Sequence, residues 1–267
     1  MRIVITGCNG RMGKELIAEI FFSNKHILAG ALARKGSNII GKDINELFNK
    51  QNVGLNIEDD IASIKDIDAI IDFTSPESSL KYCEYSAKNS IPIIVGTTGF
   101  SEDQIKEITK FASSTKIFLS YNMSIGINLL IKLIEQASNI LSNDYDAEVY
   151  EMHHRNKVDA PSGTALMIGK AIARGRNIDF DDQNLIFNRK EIVAKREQGK
   201  IGFTSLRGGG IIGDHKAIFA SNDDVIEFSH HAINRSIFAK GAIKAAEWVI
   251  KQSKGLYNME DLLVDLN

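Results

Sequence analysis

The chain has 267 residues, a formal net charge of −2, 43% hydrophobic and 25% charged residues. That is the balance of an ordinary soluble globular protein with one large domain or two modest ones, and it excludes a chain-wide basic field for nucleic acid or an anionic membrane. Two cysteines, Cys8 and Cys83, exclude a disulfide framework and fit a reducing cytoplasm, and no apolar run nears the ~18 residues of a membrane span.

The first half alternates short β-branched runs with helical patterns. Ile3-Val4-Ile5 reads as a buried strand, Met12 to Phe22 as a helix and Ile27 to Leu32 as a second strand. Ala69 to Phe73 is another strand, followed by Ser75 and Pro76, which suit the N-cap and first turn of a helix reaching about Asn89. Pro92 to Val95 is a strand, Glu102 to Ser114 a helix and Ile117 to Leu119 a strand. This rhythm predicts a doubly wound parallel sheet of Rossmann type with helices on both faces.

After about residue 124 the rhythm changes. A helix from Asn128 to Leu141 leads to a strand around Glu148 to Met152, and Gly163 to about Arg174 is again helical. Ile201 to Leu206, Lys216 to Ala220 and Val225 to Ser229 are strands at hairpin spacing, with Gly208-Gly209-Gly210 at a turn, which predicts a mostly antiparallel sheet. Ser236 to Ile250 is a final amphipathic helix. The expected organisation is a dinucleotide-binding α/β domain over 1–124, completed by a C-terminal helix at about 236–267, and an α+β domain over 125–235 for substrate binding and oligomerisation.

Gly7-Cys8-Asn9-Gly10-Arg11-Met12-Gly13 joins the first strand to the first helix. Glycines there allow a tight turn and close backbone approach, and a helix N-terminus offers bare N–H groups to a pyrophosphate. The G-x-x-G-x-x-G spacing alone is a weak pattern, with a ligand-free turn as the alternative; its place between strand and helix gives it weight. The second strand ends in Ala33-Arg34-Lys35. A carboxylate at that position would receive the ribose hydroxyls of NADH, whereas Arg34 suits a 2′-phosphate, so NADPH is expected to serve at least as well as NADH. The loops Gly96-Thr97-Thr98-Gly99 and Ser120-Tyr121-Asn122-Met123 follow two further strands and fall on the same rim, where small polar groups suit a nicotinamide end.

The stretch Met152-His153-His154-Arg155-Asn156-Lys157-Val158-Asp159-Ala160-Pro161-Ser162-Gly163-Thr164-Ala165 concentrates positive charge before a helix start. Arg155 and Lys157 supply fixed charge, histidines titrate near neutrality, and the helix opened by Ser162-Gly163-Thr164 favours an anion. The physical reading is an anion site with acid–base capacity, Asp159 balancing one cation; a solvated surface loop is the alternative. Nucleic acid is disfavoured because aromatics and a basic surround are missing. A metal is disfavoured because neighbours on a strand face opposite ways and no further ligands complete a shell. His215, His230 and His231 read as structural.

With the GCNGRMG turn, Asp72-Phe73-Thr74, Val95 to Phe100, Asn122 with Ser124-Ile125-Gly126 and the His153 to Ala165 stretch, the chain resembles the 4-hydroxy-tetrahydrodipicolinate reductase (dihydrodipicolinate reductase) family over essentially its full length. The resemblance implies that Gly7 to Met12 (Gly7, Cys8, Asn9, Gly10, Arg11, Met12) cradle the pyrophosphate and that Arg34 meets the adenosine ribose or its phosphate. It places Gly96, Thr97 and Thr98, with Ser120, Tyr121, Asn122 and Met123, at the nicotinamide. It makes His153 a proton donor/acceptor and Lys157 a proton donor, with His154, Ser162, Gly163 and Thr164 clasping a cyclic dicarboxylate. The implied reaction is NAD(P)H-dependent reduction with loss of water in lysine and diaminopimelate synthesis, by a cytoplasmic homotetramer with no resident metal. Two departures stand out: Ala33 where some members carry an acid, and Asn156 where many carry a third histidine. A semialdehyde dehydrogenase would want a cysteine beside its substrate, which neither Cys8 nor Cys83 offers. A nucleotide-sensing regulator would have no use for His153 and Lys157.

Overall fold

The computed structural model describes residues 1–49, 51, 53–190 and 194–266. The chain divides into two compact units, residues 1–124 with 235–267, and residues 125–234.

The first unit contains β1 (Arg2–Thr6), α1 (Arg11–Ser23), β2 (Ile27–Leu32), β3 (Ile57–Glu58), β4 (Ala69–Asp72), α2 (Pro76–Asn89), β5 (Ile93–Val95), α3 (Glu102–Phe111) and β6 (Lys116–Leu119). The second contains α4 (Ile125–Leu141), β7 (Asp146–His153), α5 (Gly163–Arg176), β8 (Leu185–Ile186), β9 (Ile201–Arg207), β10 (Asp214–Ala220) and β11 (Val225–His231). The chain then returns to the first unit with α6 (Ser236–Val249), β12 (Gly255–Tyr257) and α7 (Met259–Asp265).

In the first unit the strands form one sheet in the order β12-β6-β5-β4-β1-β2-β3, with every pair parallel. Consecutive residues Ile3, Val4 and Ile5 are all fully buried, as a strand covered on both faces requires. The α2–α3 pair covers the face carrying Val4, Ile70, Ile93 and Ile117, contributing Cys83 and Ile108. α1 packs on α6, whose Trp248 meets Phe118 of β6 edge-on. Ser75 caps α2 and Pro76 opens it, as the sequence predicts. The chain runs outward from β1 in both directions, so the order reverses between β1 and β4, the kind of switch point at which open parallel sheets receive ligands. The sequence reading missed β12, a three-residue edge strand pairing with β6.

In the second unit the sheet order is β11-β10-β7-β9-β8. Antiparallel pairing joins β7 to β10 and β10 to β11, but β9 runs parallel to both β7 and β8, so the sheet is mixed. Hairpin spacing is misleading between β9 and β10, because β7 slots between them. Strand β7 alternates half-buried and buried residues, and Ala147 and Val149 on its inner face pack with Ile131, Ile168, Ile172 and Phe219. The same inner face continues past the hydrocarbon core with Glu151 and His153.

Candidate active site

The two units each carry one group of site residues. In the first, Gly7 has φ +62°, a left-handed conformation that lets the chain turn straight from β1 into α1. A Cβ on Gly13 would sit 2.2 Å from the Gly7 carbonyl oxygen, so the helix approaches the turn as closely as backbone allows. The N-cap of α1 is Gly10, with no side-chain cap and no acid in the first turn. An uncapped helix start keeps its positive end and unbonded N–H groups for an anionic guest. Asn9, Gly10 and Arg11 are exposed there. Cys8 is different: its thiol is fully buried, which pushes its pKa up to about 11, and its N–H donates to the Leu32 carbonyl at 3.0 Å. Its part is to shape the turn.

Arg34 and Lys35 lie exposed just past the end of β2, while Ala33 is buried. At the end of β5, Gly96 accommodates the Phe73 ring, which a Cβ would meet at 2.1 Å. Thr98 and Gly99 are exposed, but Thr97 turns inward. The Thr97 hydroxyl donates to Asp72 at 3.0 Å and accepts the Thr74 N–H at 3.0 Å. Asp72 is fully buried and also accepts from Thr6 at 2.5 Å, Thr74 at 2.7 Å and Ser79. One carboxylate thus ties together the carboxyl ends of β1, β4 and β5. In the last loop, Ser120 donates to the Asn122 carbonyl and the Asn122 side chain accepts the Ser124 N–H. Tyr121 is exposed, whereas Met123 is buried with its carbonyl against Gly241.

In the second unit, strand register gathers the polar residues. β7 pairs with β9 so that His153 lies beside Arg207, and with β10 so that Glu151 lies beside His215. Paired residues share a face, so these four side chains converge. His153 Nδ1 is 2.5 Å from Glu151 Oε2, and its ring meets that of His215 edge-on with centroids 5.0 Å apart. Burial lowers the His153 pKa against the opposing pull of Glu151. Burial would raise Glu151, but hydrogen bonds from Arg207, Ser205 and His153 bring it below its ordinary value. The pair therefore rests as neutral imidazole, Nδ1–H toward carboxylate, leaving Nε2 available.

Lys157 Nζ reaches both Asp159 oxygens, at 2.8 and 2.9 Å, and is only partly buried. Ser162 caps α5 by accepting the Ala165 N–H at 3.2 Å, and its hydroxyl lies 3.1 Å from His215 Nε2. It is 2% exposed, so its role is to fix the helix start, with Gly163 exposed beside it. A Cβ on Gly163 would meet nothing within 4 Å. His154 is half-buried with Nδ1 lacking a hydrogen-bond partner, and Arg155 and Asn156 are exposed. Sequence reasoning missed Glu151 and Arg207 and read His215 as structural; the signal for the first two was charged residues at inward-facing positions of alternating strands, where an ionisable group needs a partner. Among the described residues no group of three His, Cys, Asp or Glu could hold a metal, and no helix is long and apolar enough to cross a membrane.

Residues 1–123 match the family model described as dihydrodipicolinate reductase, N-terminus, and residues 126–263 match that described as dihydrodipicolinate reductase, C-terminus. The chain is 46% identical to the 4-hydroxy-tetrahydrodipicolinate reductase of Bartonella tribocorum over 98% of each chain. It is 43% identical to the enzyme of that name from Buchnera aphidicola, over 99% of this chain and 97% of the other. Among solved structures, dipicolinate-bound dihydrodipicolinate reductase from Paenisporosarcina sp. TG-14 superimposes with a TM-score of 0.76 at 24% identity, over 98% of this chain and 99% of that one.

Proposed function

The chain belongs to the dihydrodipicolinate reductase family, and from that premise we propose how its own residues carry out the reaction. It is a pyridine-nucleotide-dependent oxidoreductase that reduces 4-hydroxy-tetrahydrodipicolinate to tetrahydrodipicolinate in lysine and diaminopimelate synthesis. One hydride and one proton enter and one water leaves.

The glycine turn fits a dinucleotide: its helix start is uncapped, and added Cβ atoms at Gly13 and Gly96 would meet protein. In this reading Gly7, Asn9, Gly10, Arg11 and Met12 surround the pyrophosphate while Cys8 sets the turn. Gly96, Thr97, Thr98 and the loop Ser120 to Met123 form the nicotinamide end, Thr97 and Met123 by shaping backbone. When bound, the reduced nicotinamide supplies the hydride. The exposed Arg34, with Ala33 where a ribose-binding acid would stand, favours NADPH at least equally with NADH.

His153 and Lys157 handle protons. The observation that carries this is the buried His153–Glu151 pair, which keeps a neutral imidazole oriented near a lysine. His154 and the Gly163 and Thr164 end of α5 receive the substrate's carboxylates, with Ser162 holding that end in place. The homotetramer is supported by the outer face of the second sheet, away from α4 and α5, where Tyr150, Met152 and Ile218 are only half-buried and Leu206 is 43% exposed. Two free buried thiols support a cytoplasmic setting.

The test is a coupled assay. Purified protein, given the product of dihydrodipicolinate synthase, should oxidise NADPH and NADH; absence of oxidation with both overturns the reading.

A further inference from the structure

We propose that Arg207 is a positioning residue for the reaction: its guanidinium holds His153 through Glu151, and the Lys157 loop through backbone carbonyls, as one unit. The inference rests on the reading of His153 and Lys157 as the proton-handling pair.

Arg207 ends β9 directly beside His153 at the end of β7. Its Nη1 and Nη2 donate to Glu151 Oε2 and Oε1, both at 2.9 Å, a two-pronged pairing. Nη1 also donates to the Leu206 carbonyl at 2.6 Å. Nη2 reaches the Asp159 carbonyl at 2.6 Å, and Nε the Lys157 carbonyl at 3.3 Å. An arginine has five N–H donors, and all five are used. Glu151 is 1% exposed and its Oε2 is the same atom that meets His153 Nδ1. Asp159, whose carbonyl Arg207 holds, binds Lys157 Nζ with its carboxylate. An unbroken chain of polar contacts thus runs from the His153 ring through Glu151, Arg207 and Asp159 to the Lys157 ammonium.

Stability alone explains this poorly. A buried ion pair roughly cancels its own desolvation cost and is replaceable by apolar side chains of similar volume. What a forked, planar cation contributes instead is geometry, fixing the ends of two strands and one loop at once. Proton transfer is sensitive to that geometry, since a misplacement of about 1 Å can cost on the order of 100-fold in rate.

The groups facing His153 are Glu151 on its own strand, Lys157 on the following loop, Arg207 on β9 and His215 on β10. Glu151 raises the His153 pKa and Arg207 lowers it, so removing each moves the titration oppositely.

The experiment compares wild type, R207K, R207M and E151Q by steady-state kinetics, cofactor titration and NMR titration of His153. R207K keeps the charge and loses the fork; in the folded protein kcat is expected to fall on the order of 100-fold with cofactor Kd unchanged. His153 should titrate at lower pH in E151Q and at higher pH in R207M, a displacement that a merely structural role would not produce. The double variant E151Q/R207M, which leaves no lone buried charge, replaces R207M if that protein does not fold, and it should lose kcat as R207K does. Wild-type kcat in folded R207K, a kcat loss that only tracks the folded fraction, or an unmoved His153 titration in E151Q overturns the proposal. Wild-type protein that oxidises no NAD(P)H overturns the reductase reading instead, and the NMR arm still tests the linkage.

Discussion

The Ser162 hydroxyl sits 3.1 Å from His215 Nε2 while accepting the N–H of Ala165, so the start of α5 is anchored on a histidine of β10. Burial, reinforced by the neighbouring His153, pushes the His215 pKa down from 6.5 to about 3.

This gives the protein a defined sensitivity to acid. Between pH 6.5 and about 3 the unfolded chain binds a proton at this position that the folded chain does not, so stability is lost as pH falls through that window. Each pKa unit corresponds to roughly 1.4 kcal/mol. H215Q keeps a polar group toward Ser162 and cannot titrate. Urea unfolding at pH 7 and pH 5 should show a markedly smaller pH dependence in H215Q than in wild type. The comparison separates His215 from Asp72, whose burial-raised pKa acts in the opposite sense, stabilising as pH falls. Equal pH dependence in the two proteins would remove His215 from the account.

Replacing His153 and Lys157, the two groups proposed to handle protons, should separate chemistry from binding. H153Q and K157M are each expected to lower kcat by about 100- to 10,000-fold, the usual range for a positioned acid or base. Cofactor Kd, measured by quenching of protein fluorescence, should stay at its wild-type value, because the glycine turn lies in the other unit. A variant that loses cofactor affinity in step with kcat contradicts these roles.

Arg34 gives a test that depends on one phosphate. Without the guanidinium, NADPH loses a charge-assisted hydrogen bond while NADH loses little. R34A should raise the KM for NADPH by roughly tenfold to a hundredfold and leave that for NADH nearly unchanged. Parallel loss for both cofactors would assign Arg34 to the shared part of the dinucleotide.

Much of this was legible in the sequence because the signals are local. Strand β1 carries four consecutive β-branched residues directly ahead of a glycine turn, α2 begins at a Ser-Pro cap, and β7 alternates along its length. Pairing order is a different kind of information. Nothing near Arg207 says that β9 lies parallel to β7, since that depends on the crossover through α5 and β8. Glu151, Arg207 and His215 become a site only through register among three strands, with Arg207 lying 56 residues from Glu151. Motif position does not tell which side chains of a loop turn inward. Cys8, Thr97, Met123 and Ser162 stand in site loops, yet each is buried and serves the loop's shape. β3 and β12 have two and three residues, too few for any periodicity to appear.

The Asp72 carboxylate should prove to be the keystone of the cofactor-binding rim. It accepts from Thr6, Thr74, Ser79 and Thr97, which belong to β1, the loop after β4, α2 and the loop after β5. In D72N one acceptor oxygen becomes a donor, and two hydroxyls that pointed at it must reorient. In a fully buried setting such a mismatch costs about 1–3 kcal/mol. D72A removes both acceptors and leaves a void, so its loss should be larger, by urea unfolding at pH 7. The binding effect separates this role from ordinary core packing. Thr97 also accepts the Thr74 N–H, so loosening Asp72 frees the loops after β4 and β5 together. Folded D72N should therefore bind NADPH and NADH more weakly by a similar factor, with kcat at saturating cofactor close to wild type. Unchanged affinity for both cofactors in a destabilised D72N would confine Asp72 to the fold alone.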